Sequence, residues 1–454
     1  MFHNALVSFA ERRVIIMKKN VYLGSFNAES YYIDSQYCKL PSFSMKKGIH
    51  PLFNSMDELM LTMLEKDDIL ITRYDMDITY KEYYETNFNS FITYNCVTKE
   101  SDLYEDKSLF GLIKEVRPNN VINCLTDADN KIIEYSLIQD SYDLYDFIGL
   151  KNNKPKTDVV RMVNSKAYSN ELRYKLDLPY KGIVVDSINE FVKVSHRMLA
   201  EYPSILIKDV MGVSGKGILI IQNEFMIMRL EKFFLKQQFE KFSFLLEPYL
   251  NKVRDFSCQL TIKQDGNVII QGYQENNNRK FTYLGSSDLS IDLINQWDNN
   301  YTETINNIAH LMFKDGYYGP VCIDSMLLSD NTVCPLVEIN ARLSMGRFNL
   351  MTNKRLFQYG AQCSLIFFKV IKSKNITVEE LLQKLDDNSI LYLKGECNGV
   401  IPLAPNTWRF VNSNEPHRMY FQLVYDSNKA PNMVDYLRKQ LIYCLKQLDI
   451  CVLE

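Results

Sequence analysis

The stretch "IKDVMGVSGKGI", residues 207–218, constrains the fold of this chain more than any other. Glycines at 212, 215 and 217 permit positive φ, and successive backbone N–H groups in such a loop can converge on an anion. The flanks "SILIKDV" and "GILIIQ" read as strands, so the loop is expected to be a flap joining a hairpin, not a strand-to-helix turn. Spacing excludes two familiar nucleotide loops. A P-loop needs four residues between its first glycine and its Gly-Lys, and Gly212 and Gly215 are separated by only two. The order G-x-x-G-x-G, with no helix opening behind it, also departs from the dinucleotide fingerprint. In "GVSGK" Lys216 replaces the last glycine of a nucleophile elbow, so Ser214 reads as a phosphate hydrogen-bond donor. Alone, a glycine-rich hairpin is also an ordinary tight turn, so the weighting falls to its partners.

Lys208, on the strand entering the flap, offers a point charge suited to phosphates. In "CIDSMLL" Asp324 lies within an apolar strand; in "LVEINARL" Glu338 and Asn340 are two residues apart, hence on one face, which Arg342 continues. Carboxylates in buried strands are expensive unless compensated, and hard divalent cations take oxygen ligands from such groups. Mg2+ bridging nucleotide phosphates satisfies both demands. The competing structural reading pairs Glu338 with Arg342 and turns Asp324 to solvent.

The rest of the chain supplies the frame. At 454 residues it exceeds one ordinary core, so several packed units are expected. Lys and Arg total 52 against 55 Asp and Glu, a net charge of −3 without like-charge blocks, which disfavours a nucleic-acid surface. Ten cysteines lack any CxxC pair, and five histidines show no ligand spacing, so zinc is disfavoured and reduced thiols in a cytoplasmic protein are expected. No apolar run reaches the roughly 20 residues of a membrane span. The first 16 residues carry Glu11, Arg12 and Arg13 inside their apolar stretch, which spoils a secretory signal; they read as an untranslated leader before Met17.

From residue 17 to about 150, "NVYLGSF", "DILITRYD" and "NNVINCLTD" read as strands and "SMDELMLTMLEKDD" as an amphipathic helix with a Ser55/Glu58 capping box, giving a small parallel α/β domain. The polar "GLKNNKPKTD" marks a boundary near 155. Helices are expected over "SKAYSNELRYKLDL" and "DSINEFVKVSHRMLAEYP". The segments "KFSFLLEPYL", "DFSCQLTIKQDGNVIIQGYQE", "PVCIDSMLL" and "TVCPLVEINARL" read as a mainly antiparallel sheet, and "MVDYLRKQLIYCLKQLDI" as a closing helix.

Together these residues resemble the ATP-grasp superfamily across roughly residues 156–372. The order is Lys166 in "NSKAYS", Lys208 before the glycine flap, Glu247 in "LLEPYL", Asp324, then Glu338, Asn340 and Arg342 in "VEINAR". The resemblance implies an N-terminal pre-ATP-grasp domain (1–155), a small lobe with the flap (156–240), a large lobe (241–385) and a C-terminal closing subdomain (386–454). It also implies ATP between the lobes, contacted by Lys166, Lys208, Gly212, Ser214, Gly215 and Gly217, with Glu247, Tyr249 and Leu250 on the adenine. One or two Mg2+ ions would lie on Asp324, Glu338 and Asn340. Arg342 and Lys208 would serve the transferring phosphoryl group, and Arg254 and Lys280 would face phosphate or substrate unless they are solvated surface charges. Asp in place of Glu at 324 departs from the family pattern and bears on the metal count. The activity implied is ADP-forming activation of a small carboxylate, an amino acid for preference. The acyl phosphate is then taken by an amine to give an amide. Three other outcomes stay open: a carrier-protein thiol acceptor, bicarbonate chemistry, and a non-catalytic ATP-binding regulator. Homodimerisation is left open as well.

Overall fold

The structure is a computed structural model that describes residues 18–41, 51–97, 106–151, 153–211, 217–279, 281–410, 414–428 and 432–453. Gly212, Ser214, Gly215 and Lys280 lie outside the described residues, as does the expected leader.

The N-terminal unit is a four-stranded parallel sheet of β1 (Asn20–Leu23), β2 (Ile69–Thr72), β3 (Ile92–Asn95) and β4 (Lys131–Glu134), in the order β3-β2-β1-β4. Every residue of β2 is buried, as a strand covered on both faces requires. Two expectations fail here. "NNVINCLTD" forms a helix, Asn119–Thr126, not a strand. Pro118 stands at its start, and Val121, Cys124 and Leu125 are buried at the 3.6-residue period. "DELMLTM" is a 3-10 helix, Asp57–Met63, without the capping box and without a polar face, since all seven residues are buried. It is wedged between the parallel sheet and the C-terminal half, where Glu58 Oε2 accepts from Asn406 N at 2.9 Å.

A second sheet, of β5 (Ile183–Val185), β6 (Ile205–Asp209), β7 (Ile218–Ile221) and β8 (Phe244–Pro248), is antiparallel in the order β5-β8-β6-β7. The expected flap hairpin is present as β6 and β7, with Lys208 paired to Ile218. One face is closed by helices Ile188–Glu201 and Glu224–Phe234 over an aromatic cluster of Phe191, Phe234, Phe242 and Phe244. The first of these helices is capped by Ser187, whose Oγ accepts from Glu190 N at 3.1 Å.

The third sheet holds nine antiparallel strands: β9 (Lys252–Ile262), β10 (Val268–Arg279), β11 (Thr282–Leu289), β12 (Gly319–Leu328), β13 (Val333–Asn340), β14 (Ala361–Lys372), β15 (Gly399–Leu403), β16 (His417–Asp426) and β17 (Ile450–Leu453). The path runs β13-β12-β9-β10-β11-β14-β16-β15, with β17 on β14. Strands beyond residue 385 therefore continue the sheet that carries Asp324 and Glu338. The C-terminal helix, Asn432–Gln447, buries Leu437, Leu441 and Leu445 on its expected stripe. The N-terminal unit docks on this half, with Tyr80 and Tyr83 hydroxyls donating to Pro402 O (3.1 Å) and Tyr392 O (2.9 Å). No helix among the described residues is long and apolar enough to cross a membrane.

Candidate active site

Lys166 is the first residue of helix Lys166–Lys175, whose start is fixed by Ser165 Oγ accepting from Tyr168 N at 3.1 Å. Its own N–H donates to Val210 O (2.9 Å), at the root of the flap. The same segment is tied to β13, because Ile339 N donates to Ser169 Oγ (3.2 Å) and Ala341 N to Asn164 Oδ1 (2.8 Å). Small-lobe helix, flap root and acidic strand are thus one connected frame. Across it the buried Lys166 Nζ lies 3.1 Å from Glu338 Oε1.

Lys208 points from β6 onto Glu247 of β8, and the neighbouring Glu247 oxygen takes Arg173. All three are buried. Burial alone would raise the Glu247 carboxyl; Lys208 and Arg173 outweigh it and hold it at about 2. Arg173 was not singled out in the sequence, although it lies seven residues after Lys166 and hence on the same helical face. Tyr249 and Leu250 follow directly on β8, Tyr249 with 41% exposure and its N–H on Ser204 O.

Asp324 and Glu338 are register partners on β12 and β13. Like charges directly opposite in a sheet are destabilising. Asn340 Nδ2 donates to Asp324 Oδ2 at 2.9 Å, and Asn276 Nδ2 approaches Oδ1 at 3.4 Å. Burial first, then the Glu338 carboxylate, pushes the Asp324 carboxyl up to about 7, against the pull of Arg342. Two carboxylates and an amide oxygen are hard donors of the kind Mg2+ takes, with Lys166 on Glu338 and Arg342 on the Asn340 oxygen where a metal would replace them. Among the described residues no group of three or more His, Cys, Asp or Glu forms a metal site; the third donor here is an amide.

Arg342 is turned toward the N-terminal unit. Its Nε donates to Glu29 Oε1 (2.6 Å), one terminal nitrogen to the Tyr135 hydroxyl (3.1 Å) and the other to Asn340 Oδ1 (3.3 Å). The alternative ion pair between Glu338 and Arg342 is not formed, since their partners are Lys166 and Glu29. Glu29 and Tyr135 carry no local pattern that would have revealed them. Arg254 makes a two-pronged pair with Glu275 at 3.1 Å and lies over Trp297, on the large sheet. Gly217, the one flap glycine described, has φ +74°, and a Cβ there would fall on the Asp209 carboxylate.

Residues 166–348 match the family model described as carbamoyl-phosphate synthase L chain, ATP binding domain. This segment is an ATP-grasp domain. Solved structures agree on the fold. Biotin carboxylase of Campylobacter jejuni superposes with a TM-score of 0.54 at 13% identity, covering 96% of this chain and 92% of that one. The biotin carboxylase domain of Hydrogenobacter thermophilus 2-oxoglutarate carboxylase gives 0.53 at 13%, with the same coverage of 96% and 92%. N5-carboxyaminoimidazole synthase of Aspergillus clavatus gives 0.50 at 11%, covering 95% and 99%. None of the curated proteins compared matches the chain. An ATP-dependent, ADP-forming ligase is the activity class that goes with an ATP-grasp domain, and ATP and Mg2+ are its usual cofactors.

Proposed function

We propose that the chain joins a small carboxylate, an amino acid for preference, to an amine through an acyl phosphate, releasing ADP and phosphate. The observation that supports this reading is that Lys166 lies on Glu338, beside Asp324 and Asn340, in a frame hydrogen-bonded to both the flap root and β13, while Lys208 on the flap strand is held by Glu247. Lys166 and Lys208 would meet the phosphates, together with backbone N–H groups of the flap. Asp324, Glu338 and Asn340 would hold Mg2+, which supplies neutralisation of phosphate charge when bound.

The chemistry asked of these residues is positioning and charge, because phosphoryl transfer places little covalent demand on a protein. A carboxylate oxygen attacks the γ-phosphorus and the bond to the β-bridging oxygen breaks, with ADP leaving. The amine nitrogen then attacks the acyl carbon, phosphate leaves with the bonding pair, and the amine loses a proton. Arg342, already carrying a carboxylate in Glu29, has the fork geometry to orient an anionic substrate and the charge developing on it. Closure of the flap would keep water from the acyl phosphate. The ten unpaired thiols are in keeping with a cytosolic location.

The test is a coupled ADP-release screen over amino acids and other small carboxylates, with and without amines, followed by mass spectrometry of products. Amine-dependent ADP release with an amide of the summed mass is expected. Turnover that needs a carrier-protein thiol, and no amine, would replace this reading.

A further inference from the structure

On the face of the flap-bearing sheet opposite the candidate nucleotide site lies a pocket of about 380 Å3, within the size range of small-ligand sites. Its position follows from strand geometry. Lys208 and Asp209 are consecutive in β6, so their side chains leave opposite faces. Lys208 meets Glu247, and Asp209 lines the pocket. The remaining charged walls are Asp34 and Lys39 from the N-terminal unit, Asp158 and Arg161 from helix Thr157–Val163, and Lys241.

These groups are not equally satisfied. Lys241 Nζ sits 3.0 Å from Asp34 Oδ2, and Lys39 Nζ donates to Asp34 O at 3.3 Å. Asp209 is 5% exposed, yet its Oδ2 has no hydrogen-bond partner. A buried carboxylate oxygen without a donor is costly, and burial pushes this carboxyl up to about 6 against the pull of Lys39, Lys166 and the Leu40 backbone N–H. At the rim, the exposed Arg161 guanidinium makes no hydrogen bond or ion pair among the described residues. The pocket wall therefore carries an Asp209 carboxylate with no cation paired on it among the described residues, whose Oδ2 is sealed against Gly217, and its mouth carries an unused planar donor.

We propose that this pocket binds a small zwitterion of the amino-acid class, with its ammonium on Asp209 and its carboxylate on Arg161. The ligand would sit at the root of the flap, since Asp209 N donates to Gly217 O at 2.8 Å and the Asp209 carboxylate fills the space beside Gly217. The site is separate from the reacting centre, and its test does not depend on which acid is activated there.

Calorimetric titration of the full chain, without nucleotide, with glycine, alanine, glutamate and lysine, and with their N-acetyl and amide counterparts, tests this. At least one free amino acid should bind saturably at millimolar concentration or below, and blocking either end should weaken it by at least about tenfold, as loss of a charged hydrogen bond does. Asp209→Asn and the exposed Arg161→Ala should lose binding to the same degree. Arg342→Ala should retain it, which separates this pocket from an acid bound at the reacting centre. If Asp209→Asn fails to fold, Arg161→Ala decides. Absence of binding by every free amino acid, unchanged binding in the pocket variants, or loss confined to Arg342→Ala would overturn the proposal.

Discussion

Glu247 is a buried carboxylate with a cation on each oxygen, and it supports Lys208 structurally whatever contact it makes with a nucleotide. Removing one partner of such a group leaves charge buried and underpaid. Arg173→Met should therefore destabilise the small lobe by about 3 kcal/mol, read as a fall of roughly 6–12 °C in its melting temperature. The acidic strands differ in kind, since under the proposed function Mg2+ would relieve their cost. Glu338→Gln and Asn340→Ala should each lower kcat by at least about a hundredfold with unchanged circular dichroism; wild-type rates in both would refute the metal assignment. The sequence points to Lys208, Asp324, Glu338 and Asn340 through strand positions around the glycine loop and in "CIDS" and "VEIN", and to Lys166 only through the ATP-grasp resemblance. Glu29 and Tyr135 are not legible there, because they reach Arg342 from another unit more than 200 residues away along the chain.

Two apolar strands flanking glycines specify the flap hairpin, whereas apolar spacing alone misleads for two short N-terminal segments. "DELMLTM" was mistaken for an amphipathic helix because its apolar spacing suits one, while Asp57 and Glu58 are buried along with the rest. "NNVINCLTD" has a strand-like composition, but Pro118 before it and apolar Val121, Cys124 and Leu125 at i, i+3, i+4 specify the helix that forms. Gly217→Ala must accept φ +74° and displace the Asp209 carboxylate, so kcat/KM for ATP should drop by about tenfold or more. Burial also raises both carboxyls of the 3-10 helix, Asp57 to about 7 and Glu58 well above its usual range. A raised folded-state pKa contributes stability that is complete below the unfolded value and lost as pH rises through the folded one. Melting temperature should accordingly fall between about pH 5 and pH 8, each carboxyl costing up to about 1.4 kcal/mol per pH unit. Glu58→Gln keeps the acceptor for Asn406 N and should flatten that slope; an equal slope in both proteins would contradict the assignment.

At the scale of the whole molecule, one antiparallel sheet runs from β13 through β9 to β15, so the acidic strands and the C-terminal strands share a single rigid surface. The N-terminal unit is fastened to the half that carries this sheet by contacts that include Arg342 with Glu29, Glu58 with Asn406, and the Tyr80 and Tyr83 hydroxyls on Pro402 and Tyr392. Local patterns revealed the strands but not this order, because neighbours such as β11 and β14 are separated by some 70 residues that include two other strands of the sheet. The central claim is that this assembly transfers the γ-phosphoryl group of ATP to a substrate carboxylate. Isotope transfer tests it most directly: with the acid identified in the ligase screen labelled with 18O in its carboxyl group, one labelled oxygen should appear in phosphate for each ADP released. Release of AMP, or of ADP with unlabelled phosphate during product formation, would contradict it.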